Sequence, residues 1–522
     1  MTLLLFSTFH LRVFSQNYTV SIEPITINGA PALHSGAWAQ WQGTWLLLGG
    51  RTNGLHGFQP FSTFPLSGAN DSVFVVDPRL GFVASAWLGS LPKNVREQVA
   101  SSNMQFAQDG ATLYVTGGYG WDADRGDFRT FPALTAIDIP GLIAAVVEKT
   151  DPAPHFRQMS DDRMAVCGGA MEKIGDEFCL AFGHKFDGTY SIEETGFFTQ
   201  EYTRQIRRFR IENSGNAPQL LDYSATTDSA QFRRRDYNLV RQIFPDRQPG
   251  LTAFSGVFRK DSILPHLSCI NIGAHNYAVA PDFEQLYSHY HSAAMPLYDS
   301  TSNTMHTIFF GGTAMYFPDS LTGRPVRDSL VPFVRTVSMT TRRADGTMTE
   351  TVLPFAMPEL LGTNAYFIPV EEHTNNGVVQ LGTMRGKTLA GWIFGGIVSP
   401  KPHISEESAS LSSASTYIFR VWVDSEPDAA DEPQENREMT INCFPAVPHS
   451  ALAVRVWLPA PTDVRLTLSD ATGRAVGEIA QGLFPAGQTA LEYDVSHLAA
   501  GLYFLRLDAP QATKFVRVLL PR

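Results

Sequence analysis

Residues 286–312 read LYSHYHSAAMPLYDSTSNTMHTIFFGG. Tyr287, His289, Tyr290 and His291 fall within five positions, and the stretch closes on a glycine pair. The histidines are either a metal centre or polar trim at the start of a strand. The glycine pair carries the decision, because it recurs. TWLLLGG (44–50), TLYVTGG (112–118) and GWIFGG (391–396) share it, and FCLAFGH (178–184) and LTAFSG (251–256) are degenerate copies. Taking Gly49, Gly117, Gly183, Ser255, Gly311 and Gly395 as first positions, the copies lie 56 to 84 residues apart. Such spacing suits one structural unit repeated with loops of variable length.

Each copy follows a partner strand and a tight turn, with Gly43, Gly110 and Gly386 placed to supply the positive φ of a hairpin. Further strand-like runs come after several pairs: DSVFVVDP (71–78), LTAIDIP (134–140), QIRRFRIE (205–212) and STYIFRVWVD (415–424). Four strands per unit, six times over, predict a β-propeller. TVSIEPITI (19–27) precedes the first unit and is expected to supply the outermost strand of the last, closing the ring. The glycine pairs, the segment NDSVFVVD (70–77) and Trp87 resemble the Kelch family of propellers over residues 19–424. A seventh, degenerate unit is the alternative count.

Composition agrees with this class. The chain has 522 residues, of which 43% are apolar and only 17% charged, with 42 glycines and 33 prolines. Its net charge of −11 and lack of a basic stripe argue against a nucleic-acid partner. No segment is apolar for long enough to form a transmembrane helix. Residues 1–15, MTLLLFSTFHLRVFS, read as an atypical signal peptide followed by the propeller at 16–423. Cys167, Cys179, Cys269 and Cys443 have no metal-ligand spacing; Cys167 and Cys179 could meet across a hairpin.

DSEPDAADEPQENRE (424–438) is acidic and almost devoid of apolar residues, as an extended linker should be. Residues 439–522 change to short alternating strands, the pattern of a small, immunoglobulin-like β-sandwich. NCFPAVPHS (442–450), LSDATGRAV (468–476), FPAGQTALEYDVSHLAAGLYFLRL (484–507) and the terminal KFVRVLLP resemble the type A sorting domain of the Bacteroidetes type IX secretion system. That resemblance implies the type IX machinery as a partner through residues 439–522, and a mature protein that is secreted or attached to the outer-membrane surface.

The inner strand of each unit is expected to begin at the mouth of the central channel, in LHSGAWAQ (33–40), ASSNMQFA (100–107), DDRMAVCG (161–168), FRRRDYNLV (232–240), SHYHSAAMPLYD (288–299) and NNGVVQLG (375–382). The ligand-binding candidates there are His34, Arg163, Arg235, Asp236, Tyr290 and His291, the two arginines suiting an anionic group. YHS-AAMPLYD…GG is similar to the copper-binding blade of the galactose oxidase family, which implies Tyr290 and His291 as copper ligands. The cysteine and second tyrosine of that family are missing from the matching positions. Asp122, Asp124 and Asp127 in WDADRGDF (121–128) loosely resemble a calcium loop. The reading is a binding module for an extracellular glycan, peptide or protein, with no cofactor demanded. The alternative is an enzyme at the channel mouth, a copper oxidase or a carbohydrate hydrolase or lyase.

Overall fold

The computed structural model describes residues 18–57, 63–191, 197–403, 409–425, 439–444, 451–485, 487–510 and 512–520. The leader (1–15), most of the linker (426–438) and residues 445–450 of the tail lie outside these. The chain divides into two units, Met1–Ser425 and Glu426–Arg522.

The first unit is built on six main sheets in chain order, each with a core of four antiparallel strands, and three of them carry extra short strands. Sheet 1 holds Ala37–Trp41, Thr44–Leu48, Ser72–Asp77 and Phe82–Trp87. Sheets 2 to 5 open with Ser102–Asp109, Ala170–Ile174, Asn238–Ile243 and Ala293–Asp299. Sheet 6 contains Leu360–Pro369, Lys387–Ser399 and Ile418–Asp424, and its fourth strand is Thr19–Ile25. That N-terminal strand pairs antiparallel with the last, from Thr19 opposite Asp424 to Ile25 opposite Ile418, so the first and last strands of the unit form one edge. The arrangement is propeller-like.

Glycine pairs join each sheet to the next. The second residue of every pair donates its backbone N–H to a carbonyl at or just before the start of the following sheet's inner strand. The six bonds run Gly50 to Ser101 (2.8 Å), Gly118 to Val166 (2.9 Å), Gly183 to Arg234 (2.9 Å), Gly256 to His289 (3.2 Å), Gly312 to Leu361 (2.9 Å) and Gly396 to Leu33 (3.0 Å). The last bond links sheet 6 to sheet 1. At that junction Trp45 and Trp392 meet edge to face at 5.5 Å within a shared apolar cluster.

Both residues of each pair sit in the left-handed region, and the second is glycine in all six. The first is not. In the third copy the pair is Phe182–Gly183, with Phe182 at φ 52°, and in the fourth Ser255 sits at φ 54°. The sequence register that placed Gly183 first is therefore one residue late. A second correction concerns sheet 6. NNGVVQLG is not its inner strand; Val378–Gln380 pairs parallel with the inner strand of sheet 5, Leu297 opposite Val379. Leu360–Pro369 takes the inner place, with a register shift between Leu361 and Thr363 around Gly362.

In the second unit, a three-stranded sheet (Thr440–Phe444, Ala451–Leu458, Gly487–Asp494) and a four-stranded one (Thr462–Asp470, Ala475–Phe484, Gly501–Ala509, Ala512–Leu520) contribute to one core. Leu452, Val454, Val456, Leu466, Leu468 and Leu505 are fully buried in it. The predicted alternation of its strands is what fills this core from two sheets.

The pairs make a quantitative prediction. Gly110 (φ 57°) and Gly117 (φ 65°) have nearly the same backbone, but a Cβ at Gly110 would meet nothing, whereas one at Gly117 would meet the Val166 carbonyl of the next sheet. Gly110→Ala should cost about 1 kcal/mol, the left-handed strain alone. Gly117→Ala should cost at least about 2 kcal/mol more, read as a shift in chemical denaturation. Equal costs would deny the pair its role between sheets.

Candidate functional site

The inner strands surround a cavity of about 560 Å³. One residue from the start of each lines its mouth: Ser35, Asn103, Gly168, Asp236, His291 and Asn364. Their backbones are chained together. The N–H groups of Asn103, Gly168, Asp236, His291 and Asn364 each donate to the carbonyl of the preceding member, at 2.9, 3.2, 2.8, 3.0 and 2.6 Å. Ser35, Asn103, Gly168, Asp236 and Asn364 all adopt positive φ, a conformation that Asn and Asp tolerate better than most residues. Gly168 has a further constraint, since a Cβ there would lie 2.9 Å from the Asp236 carboxylate.

Three residues further along each strand the lining turns apolar: Trp38, Phe106, Met171, Leu239, Ala294 and Phe367. Trp38 and Phe106 meet edge to face at 6.3 Å, and Phe106 meets Tyr366 at 6.0 Å. The Tyr366 hydroxyl donates to the Gly36 carbonyl at 2.7 Å, tying sheet 6 to sheet 1 through its side chain.

The sequence candidates divide. Asp236 and His291 line the mouth. The Asp236 carboxylate pairs with Arg235 Nε at 3.3 Å; burial raises its pKa, and Arg235 opposes that rise. Burial pushes the His291 imidazole down to about 4, against a side-chain hydrogen bond with Asn364. Its ring lies edge-on to Tyr366 at 5.8 Å. Arg235 turns beside the mouth, its guanidinium 5.1 Å from the Phe258 ring and an Nη donating to the Tyr202 hydroxyl at 3.3 Å. Tyr290 shares that setting with Arg235, Tyr190 and Tyr202, and burial raises its phenol pKa.

His34 is a structural residue. It is 4% exposed, with Nδ1 2.9 Å from Ser35 Oγ and Nε2 2.9 Å from the Asn53 carbonyl. Arg163 is not at the mouth. It clamps Asp161 and covers the Tyr223 ring at 4.4 Å, on the outermost strand of sheet 3. The expected convergence of two arginines is thus corrected to one, already facing a carboxylate.

His289 answers the question raised by the cluster at 287–291. It is fully buried; Nδ1 accepts the Met315 N–H at 2.8 Å, so Nε2 carries the proton and donates to the Gln285 carbonyl at 3.2 Å. Both nitrogens are used, and its own carbonyl receives the Gly256 bond. Tyr287 is buried, and its N–H donates to Glu350. Among the described residues no group of three or more His, Cys, Asp or Glu side chains is placed to hold a metal. The carboxylates of the 121–128 hairpin are engaged by protein cations: Asp122 by Arg129 at 3.2 Å and Asp124 by Lys93 at 2.5 Å. Asp127 accepts from Phe128 N–H and the Thr189 hydroxyl. All four cysteines are free thiols and buried, so Cys167 and Cys179 do not bridge.

Asn103, Asn364, Trp38, Phe106 and Tyr366 line the same cavity and are not among the sequence candidates. The first, third and fourth stand in quoted inner strands, and the fixed spacing of three from mouth to apolar layer was their signal. Asn364 and Tyr366 lay hidden with the strand that was assigned elsewhere.

No protein-family model matches this sequence, and no curated protein matches it significantly. Solved structures share parts of its shape. "Structure of YjhT" is 10% identical, spans 76% of this chain and 98% of its own, and has a TM-score of 0.42. A complex of S. cerevisiae dbp5 with nup159 and gle1 is 8% identical over 78% of this chain and 96% of that one, at 0.28. PorZ, a surface component of the type-IX secretion system of Porphyromonas gingivalis, is 10% identical over 96% and 100%, at 0.13. At these scores the strand pairings themselves, not the likenesses, carry the fold.

Buried histidines weaken the fold on acidification, and the Glu350 carboxyl, which burial raises to about 8, contributes with the opposite sign. His34 and His289 are both held at about 4 by burial, below the ordinary 6.5. Between pH 6.5 and 4 the unfolded chain takes up these protons and the folded one does not, so stability is fully present above 6.5 and falls with pH. The slope is about 1.4 kcal/mol per pH unit for each histidine. Denaturant midpoints at pH 7.5, 6 and 5 should decline accordingly, and His289→Gln should show a shallower decline. Identical slopes would contradict the assignment.

Proposed function

We propose that this is an extracellular binding module: a six-bladed, Kelch-like propeller whose ligand enters the channel at the mouth, joined to a type IX sorting domain of sandwich form. The route rests on the sequence resemblance of residues 439–522. Among the described residues no helix is long and apolar enough to cross a membrane.

One observation carries the choice of face. The connection after each glycine pair leaves the mouth end of its sheet, and these connections are long. They include the hairpin of Asp127–Thr130 with the preceding strand, that of His184–Gly188 with Phe198–Tyr202, and that of Tyr316–Pro318 with Pro325–Arg327. At the opposite end, sheets 1 to 3 turn in two residues, from Trp41 to Thr44, Asp109 to Thr112 and Ile174 to Glu177, and sheet 6 carries a long connection there, from Pro369 to Lys387. Elaboration concentrates where the polar ring opens, which is the pattern of a rigid scaffold presenting recognition loops. Asp236 and His291 supply that ring's chemistry: a paired carboxylate and a neutral imidazole, both at the cavity wall.

The test is a screen of the full chain against immobilised glycans and peptides. Ligands found should lose at least about tenfold in affinity with Asp236→Asn combined with Asn103→Ala. They should be unaffected by Arg79→Ala, which removes an exposed ion pair with Glu372 in a turn at the opposite end. Loss with Arg79→Ala and not at the mouth would overturn the reading.

A further inference from the structure

The channel wall specifies the chemistry of its occupant. At the mouth, hydrogen-bonding side chains converge from four sheets: Asn103, Asp236, His291 and Asn364. Directly below stand the ring faces and edges of Trp38 and Phe106, both only partly buried, with Tyr366 behind. Below those, Gln40 lines the same cavity at 7% exposure, and its Oε1 accepts no hydrogen bond. A buried acceptor left unserved costs stability unless something in the cavity donates to it.

Charge narrows the class at the mouth; towards the other end of the cavity Glu172 and Arg241 pair at 2.7 Å and Glu371 accepts the Gly43 N–H at 3.0 Å. Asp236 is already matched by Arg235 at 3.3 Å, and His291 is neutral at pH 7 because burial holds it down to about 4. A cation would compete with Arg235 for that carboxylate. An anion would meet it, together with the Gln40 acceptor. A wholly apolar molecule would leave the Gln40 acceptor without a donor. What fits is a neutral molecule with hydroxyls at its edge and an apolar face, in a space of about 560 Å³, within the range of small-molecule pockets.

Resting on the reading of the mouth as a binding site, we propose that the channel binds a neutral pyranose, its apolar face against Trp38 and Phe106 and its hydroxyls on Asp236, Asn103, Asn364 and Gln40. Because the ring at the mouth is joined through backbone atoms, these side chains can be changed without cutting the bonds between sheets.

The experiment is calorimetric titration of the full chain with methyl glucoside, methyl galactoside and N-acetylglucosamine, beside glucuronate and glucosamine as charged counterparts. At least one neutral sugar should bind more tightly than its charged counterpart. Phe106→Leu, which keeps apolar bulk but removes the ring, should weaken it about tenfold, and Gln40→Leu should also weaken it, with both variants checked for unchanged melting. Neutral sugars that bind equally to wild type and both variants would overturn the proposal. Preference for a charged sugar, or for a peptide, lost with the Asp236→Asn and Asn103→Ala pair would overturn the ligand class and leave the binding module standing. If no sugar or peptide responds to that pair, both fall.

Discussion

Six hydrogen bonds of one kind hold the first unit together. In each, the N–H of the second glycine of a pair reaches a carbonyl at or just before the start of the next sheet's inner strand. The contact needs a backbone turned through the left-handed region and no side chain in the way, and the second position of every pair is accordingly glycine. Because the sixth bond, Gly396 to Leu33, joins the last sheet to the first, the set has no free end. The N-terminal strand adds a second clasp at the same junction by pairing with Ile418–Asp424. Both devices deal with one problem: an open end of a sheet stack exposes apolar faces and unpaired backbone.

This division of labour frees the channel. Bonds between neighbours at the glycine pairs and at the mouth ring run through main-chain atoms, so the side chains of Asn103, Asp236, His291 and Asn364 are not needed for closure. Buried histidines take the opposite role. His34 and His289 spend both ring nitrogens on protein partners and stand one and two residues before Ser35 and His291, which line the cavity. Adjacent positions thus do different work: His289 supports the strand entry, and His291, two residues on, faces the channel.

Much of the scaffold could be read directly because it is local. TWLLLGG and TLYVTGG announce a strand and the sharp turn that follows, and the spare run TVSIEPITI had no sheet of its own to join. Register and inner-strand identity were harder. Phe182 tolerates a left-handed backbone while stacking on Phe232 at 4.9 Å, so the third copy hides its first position behind an aromatic. Val378–Gln380 is as strand-like as Leu360–Pro369, and only the sheet it joins tells them apart. The lining of the candidate site was legible in part. Asp236 and His291 follow from counting strand starts, whereas the placing of Arg163 away from the mouth depends on Tyr223, which no local pattern brings to it.

The central claim is that the six glycine bonds form one closed set, so the sheets open together. Hydrogen–deuterium exchange at the amides of Gly50, Gly118, Gly183, Gly256, Gly312 and Gly396 tests it most directly. A closed set predicts that all six exchange slowly and at a common rate, the rate of global unfolding. Fast exchange at Gly396, with the other five protected, would show a ring open between its last and first sheets and would contradict the account.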